Sequence, residues 1–487
     1  MLTAVRNFFR RSAPVKAARS FNAANGSRLT LDWIMSPLSA DAELNGKLAA
    51  LRSRSRDLER NNEWARGFFR TLENNTIGEN GIGLQMRVRD PGSPTFDEIA
   101  NDKIETAWYQ WGRVGKCTVC GRHSWRDVQR LLVRSLARDG EILIRKMRRA
   151  DGLRLQIIEA DILDEAANFT APNGNEVRFG VECNGDRMPV AYHLLGRHPG
   201  DGQFGGTKNT STRIRIPADE IIHLFITERS DQSRGLPWLV ASMQGMKMLD
   251  GYAEAELVAA RTGAAKMGFF TKKTPEGWDG EVDGDGNLSM DASPGTIEEL
   301  PAGVEFKEWS TDHPNSGYGD FVKSRLRGIA TSLGISYNTL ASDLENVNYS
   351  SIRAGLIEER EVWKAIQRFL IEHCVEDIFT EWLSIELLSG RLGLPFEKLA
   401  KFNQPEFQGK RWAWVDPKKD MEASILGIRS GQTSLRKVIS ESGGDIYDVL
   451  RSIKADNDLA ASLGVTLPEL VDPPKPAAPV AVIDTTN

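Results

Sequence analysis

The chain has 487 residues, a formal net charge of −5, 40% hydrophobic and 26% charged residues, and four cysteines. That length supports more than one core-sized unit of ordinary globular composition, and no apolar run approaches the ~18 residues a membrane span needs. The missing basic balance argues against a chain that grips nucleic acid tightly over its whole surface, and the few cysteines exclude a disulfide scaffold and suit a reducing compartment.

Residues 1–34 carry Arg6, Arg10, Arg11, Lys16 and Arg19 with no acid before Asp32. The composition is that of a transit peptide, but no secretory apolar stretch follows it, and it reads as a flexible basic arm. From 40 to 76 the pattern is helical, on Leu44, Leu48, Leu51, then Leu58, Trp64, Phe68 and Leu72, and it stops near Ile77-Gly78. Residues 83–89 alternate apolar and polar and predict a half-buried strand. Helices are expected over 95–111 and 124–137. A strand-rich block follows at 141–146, 153–158, 190–195 and 221–225, with a Gly/Ser/Thr-rich surface loop at 198–212. Pro237 suits the first turn of a helix running to about Ala264.

Residues 267–271 and 304–309 read as strands flanking a Gly/Asp-rich insert, 275–296. The stretch 310–389 holds two helical patterns around the polar loop Leu340–Ser351. On the second pattern Ile352, Leu356, Trp363, Ile366, Leu370, Cys374, Ile378 and Trp382 recur at steps of three or four, with one of seven. Thirty-odd residues at ~1.5 Å each make a rod about 50 Å long. A last helical unit is expected over 416–456. The tail carrying Pro473, Pro474, Pro476 and Pro479 is too poor in packable side chains to fold. Helices and strands in one chain make the class α+β.

Chemistry-bearing motifs are sparse. Cys117-Thr-Val-Cys120 with His123 is half a zinc site without a second knuckle, and reads as two buried thiols beside a turn. Gly78, Gly81 and Gly83 close a helix and open a strand, the reverse of a phosphate loop, and read as a cap and turn. Asp283, Asp285 and Asn287 begin like a calcium loop, but Leu288 and Pro294 stand where Gly and Glu are needed. Nucleotide-binding, zinc-protease and serine-hydrolase motifs are missing. His193 and His223 sit in strands and read as satisfied core or interface residues. Lys323 and Arg327, four apart, share a helix face that Arg325 does not. They read either as a solvated face or as sparse positive charge near a DNA backbone. No metal or cofactor is expected.

Several phrases, in order, resemble the lambda-type portal proteins of tailed bacteriophages over roughly residues 35–455. They include Arg54–Arg66, Trp125–Gly140, Arg234-Gly-Leu-Pro-Trp238, Leu333–Leu340, Asn348-Tyr-Ser-Ser-Ile-Arg353, Trp412–Pro417 and Gly443-Gly-Asp445. The resemblance implies a portal fold assembled as a ring, typically of twelve copies, at one capsid vertex. It implies a wing (35–235), a first stem helix (236–265), a clip (266–310), a second stem helix (311–333), a tunnel-loop region (334–350), a long wing helix (351–395), a crown (396–456) and a mostly disordered tail (457–487). The candidate channel residues are then Lys323, Arg327, Asp343, Glu345, Asn346, Asn348, Tyr349 and Ser350. Asp283, Asp285 and Asn287 become candidates for docking a motor or neck protein. The implied partners are further copies of the chain, double-stranded DNA held weakly and without sequence preference, the terminase large subunit, neck proteins, and capsid and scaffold proteins. The implied location is the virion, with the host cytoplasm during assembly.

The mild acidity agrees with that implication, because neutralising many phosphates would make binding tight and salt-sensitive, and a conduit must let DNA slide. The alternatives are a head or tail scaffold protein without a channel, and a metal-dependent DNA-processing enzyme. The enzyme would need clustered carboxylates, and Asp343 with Glu345 or Asp283 with Asp285 lack a third in register.

Overall fold

The computed structural model describes residues 37–465 apart from 91, 93–94, 202–211, 265–267, 273–303, 309–316, 346–347, 413–416, 442–443 and 445, and leaves out the side chains of 262–316, 349 and 350. The basic arm, the insert bearing Asp283, Asp285 and Asn287, residue Asn346 and the Pro-rich tail past 465 lie outside the described residues.

The expected helical stretch 40–76 is three helices, α1 (Ala40–Leu44), α2 (Leu48–Asn61) and α3 (Glu63–Thr76). Asn62 breaks α2 from α3. Its backbone is extended, its side-chain oxygen caps α3 by accepting from the Ala65 amide, and its amide donates to Asp250 at 2.6 Å. Gly78 and Gly81 then turn the chain with positive φ. Strand β1 (Gly83–Met86) is shorter than the expected 83–89 and pairs antiparallel with residues 405–408. Helix α4 (Glu98–Trp111) and helix α5 (Trp125–Asp139) follow, the second opened by a reciprocal Ser124–Asp127 capping box.

Strands β2 (Glu141–Arg149) and β3 (Gly152–Ile158) form a hairpin. A five-stranded antiparallel meander runs through β4 (Phe169–Thr170), β5 (Glu176–Arg178), β6 (Val181–Cys183), β7 (Pro189–Leu195) and β8 (Arg213–Pro217). Strand β9 (Ile221–Phe225) returns to the other edge of β2, giving the order β3-β2-β9.

The helix expected from Pro237 begins later, as α6 (Met243–Ala264). Residues 238–242 form turns that lead into α6, and the Trp238 amide is diverted to the Ala137 carbonyl near the end of α5. Here two backbones cross without room for a side chain. Gly140 has φ 86°, and a Cβ on it would lie 2.3 Å from the Leu236 carbonyl carbon.

Strands β10 (Gly268–Lys272) and β11 (Val304–Glu308) pair antiparallel. The segment expected as one polar loop is more structured. Helix α7 (Tyr318–Ser332) is followed by a short helix α8 (Tyr337–Ala341), and Tyr349 and Ser350 open the long helix α9 (Tyr349–Leu370) instead of lying in a loop. A π-helical turn at Ile371–Val375 joins α9 to α10 (Glu376–Leu388), so the rod is continuous but contains one wider turn. Helix α11 (Leu399–Phe402) and strand β12 (Pro405–Gln408) come next, and β12 pairs with β1. This stretch, expected with the crown from 396, thus pairs with a strand of the N-terminal part of the chain. Helices α12 (Pro417–Arg429), α13 (Leu435–Glu441) and α14 (Ile446–Ser462) end the described chain. Helix α14 reaches six residues into the expected tail.

The main core lies among α3, α4, α5 and the α9–α10 rod. At its centre Trp108 stacks on Trp111 at 4.6 Å between centroids and meets Trp382 edge-on at 5.0 Å. Each buried aromatic of this kind contributes roughly 1.5–3 kcal/mol. A second core, with Leu143, Ile158, Tyr192, Leu194 and Ile216, joins the three-stranded sheet to the meander.

An ionic knot ties these blocks together. Glu141 has no exposed surface and accepts from Arg52, Arg234, His223 and the Gly235 amide. Arg234, equally buried, also donates to the carbonyls of Ala160 and Phe179. Burial opposes ionisation of Glu141, but Arg234 and His223 outweigh it and hold the carboxyl far below its usual range. The buried His193 likewise contacts Glu182 at 3.1 Å.

Candidate functional site

Helix α7 delivers the candidate basic residues to a corner formed with α8 and the turn after it. Its end is set by Gly334, at φ 68°, whose turn lets the Ile335 amide reach the Ala330 carbonyl. Ser336 then caps α8 by accepting from the Thr339 amide. Ser342 stands in the left-handed conformation at φ 52° and turns the chain toward Asp343. Asn348 caps α9 by accepting from the Ser351 amide at 2.8 Å.

Lys323 and Arg327 share the face turned toward this corner. Lys323 Nζ lies 3.8 Å from Asp343, and the Arg327 guanidinium sits 5.5 Å from the centre of the Tyr337 ring. Arg325 goes elsewhere, its Nη2 beside Gly245 on α6. Asp343 accepts from the Glu345 amide at 2.9 Å and from the Tyr337 hydroxyl at 2.8 Å. Those two bonds, with Lys323 behind them, hold its carboxyl below the usual range. Burial and the Asp343 charge push the Tyr337 phenol upward. The corner thus presents two cations, of which one is matched by a carboxylate and the other covers a ring. Glu345 and Asn348 are exposed, the first tied to the corner through Asp343. Helices α6 and α7 pack alongside one another through Tyr252 against Tyr318 and Phe321.

The sequence reading brought Lys323, Arg327 and Asp343 to one place but missed Tyr337, Ser336, Thr339 and Glu359. The signal for Glu359 was present. It fills the step of seven between Leu356 and Trp363, so an acid stands within an apolar stripe. It is 6% exposed, and its Oε2 accepts from the Thr339 hydroxyl at 2.7 Å.

The cysteine motif is corrected in part. Cys117 is buried, its thiol pushed up to about 12 by burial, but Cys120 is exposed. His123 offers its backbone carbonyl to Cys117, not its ring. Among the described residues Glu159, Asp161 and His198 bring potential metal-ligand atoms together, a grouping that sequence spacing did not reveal. Arg52 and Arg56 already pair with Asp161, which opposes a cation there.

The chain belongs to the lambda family of phage portal proteins, whose profile matches residues 26–367. It is 35% identical over 460 residues to the probable portal protein of Halomonas phage phiHAP-1, covering 92% of this chain and 88% of that one. It is 22% identical to portal protein B of Escherichia phage lambda, covering 86% of this chain and 85% of that one. A solved neck of a native gene transfer agent particle, computed with C12 symmetry, aligns with 82% of this chain and 94% of its own at 14% identity and a TM-score of 0.43, a likeness too low to bear on assembly.

Proposed function

We propose that this portal protein closes into a ring, with twelve copies as the expected number, and acts as a passive conduit for double-stranded DNA at one capsid vertex. Helices α6 and α7 form the stem in this reading. The 266–310 unit forms the clip that docks the terminase large subunit during filling and neck proteins afterwards, and the wing meets capsid and scaffold proteins. The 334–350 region lies against the DNA. The protein would reside in the virion, assembling in the host cytoplasm, and would catalyse nothing itself.

The observation that carries the reading is the corner at Lys323, Arg327, Asp343 and Tyr337, set within a chain of the portal family. Its cations are few and Lys323 is offset by Asp343, so phosphate attraction there is shallow. Each phosphate fully neutralised would add about 0.9 to the slope of log affinity against log salt. A conduit works best when that slope is small. The test is DNA packaging by particles carrying Lys323→Glu with Arg327→Glu. Rings form and packaged DNA falls if these residues face the channel; normal filling rejects their placement.

A further inference from the structure

The apolar stripe of α9, through Leu356, Trp363, Ile366 and Leu370, is interrupted by Glu359, which is buried against α8. The Thr339 hydroxyl donates to Oε2 at 2.7 Å, and the Ser336 hydroxyl lies 3.4 Å from the same oxygen and 2.9 Å from Thr339 Oγ1. The other oxygen, Oε1, is buried and has no hydrogen-bond partner among the described residues. A carboxylate in that setting loses its hydration and gains only neutral donors.

Among the described residues nothing charged compensates it. The elements packed around this corner are α3, α7 and α8. On α8, Tyr337 is bonded to Asp343; on α7, Lys323 faces Asp343 and Arg327 covers Tyr337. On α3, Arg66 and Arg70 are exposed, and Glu73 pairs with Arg134. Burial and the two hydroxyls alone act on Glu359.

We propose that Glu359 is a protonation-sensitive latch that sets how firmly α8, and with it Ser342 to Glu345, is held against the long helix. Burial moves this carboxyl upward, and the hydroxyls offset that only in part. A carboxyl whose pKa is higher when docked than when released binds more protons docked. Docking is therefore firmest below the ordinary carboxyl range and weakens as pH rises through the raised value. Each unit of elevation corresponds to about a tenfold change in the docking equilibrium. The regulatory meaning rests on the channel reading above; the latch itself does not.

Hydrogen exchange of the full-length assembled protein, followed over 336–345 from about pH 4.5 to about pH 8 and corrected for intrinsic rates, reads the latch directly. Wild-type protection falls as pH rises, while Glu359→Gln, a neutral isostere, stays protected and flat. A wild-type profile matching that of Glu359→Gln overturns the proposal. Thr339→Val removes the 2.7 Å donor and moves the transition to higher pH; an unmoved midpoint also overturns it. If the latch titrates as described but Glu359→Gln particles package and retain DNA as wild type does, the latch stands and the channel role of the loop falls.

Discussion

Two positive side chains on each subunit, Lys323 and Arg327, are held in place by different means, one by the Asp343 charge and one by the Tyr337 ring. Neutralising Asp343 therefore removes the charge opposite Lys323, while an amide oxygen in its place can still accept from Tyr337. Asp343→Asn leaves Lys323 unpaired, and purified rings then bind duplex DNA more tightly at low salt, with a steeper loss on adding salt. Filter binding across a salt series measures this, and an unchanged slope argues against a DNA-facing corner. A different residue governs stability. Glu141→Ala leaves Arg234 buried without its carboxylate and costs about 3–5 kcal/mol in chemical denaturation. Because the Glu141 carboxyl is depressed when folded, its contribution is complete above the ordinary carboxyl range and is lost as pH falls through that range toward the depressed value. Glu141→Gln removes that segment of the acid-unfolding profile; a profile identical to wild type contradicts the assignment. At the Gly140 crossing the steric case is stronger still, and Gly140→Ala gives protein that does not fold, read as loss of soluble expression.

At the scale of elements, the start of α9 depends on Asn348. Asn348→Ala costs about 1 kcal/mol of helix capping, whereas Asn348→Asp retains most of it. Hydrogen exchange over 349–353 separates the two, and equal protection in both variants would mean the first turn is held by packing instead. The elements whose residues repeat at helical spacing, such as α5 and the α9–α10 rod, were legible in the sequence because burial writes one face at a time. The π-helical turn at 371–375 was not, since the stripe Leu370, Cys374, Ile378 continues through it at α spacing. Strand β12 was illegible for another reason. It is four residues long and finds β1 more than three hundred residues upstream, and nothing local in Pro405–Gln408 encodes that partner. The late start of α6 was hidden because Pro237 fits a helix start locally, while the Ala137 carbonyl that captures the Trp238 amide belongs to another element. The candidate site was half legible. Spacing alone put Lys323 with Arg327 and apart from Arg325, but Tyr337 and Glu359 joined them only through the α7–α8–α9 turn.

For the molecule as a whole, 62 Lys and Arg against 67 Asp and Glu leave the chain mildly acidic, a balance that agrees with the proposed passage of a polyanion without tight holding. Many identical subunits are needed to make such a surface enclose anything. The helices α12 to α14 bury almost nothing within one subunit and expose Ile425, Leu426, Leu450 and Leu459, as expected of elements completed by neighbours in an assembly. Electron microscopy of the purified full-length protein, averaged along its symmetry axis, tests this most directly. The account predicts a closed ring whose central opening admits a double helix, with the α7–α8 corner at its wall. Particles that remain monomeric under assembly conditions, or rings whose opening is too narrow for duplex DNA in every state, would contradict it.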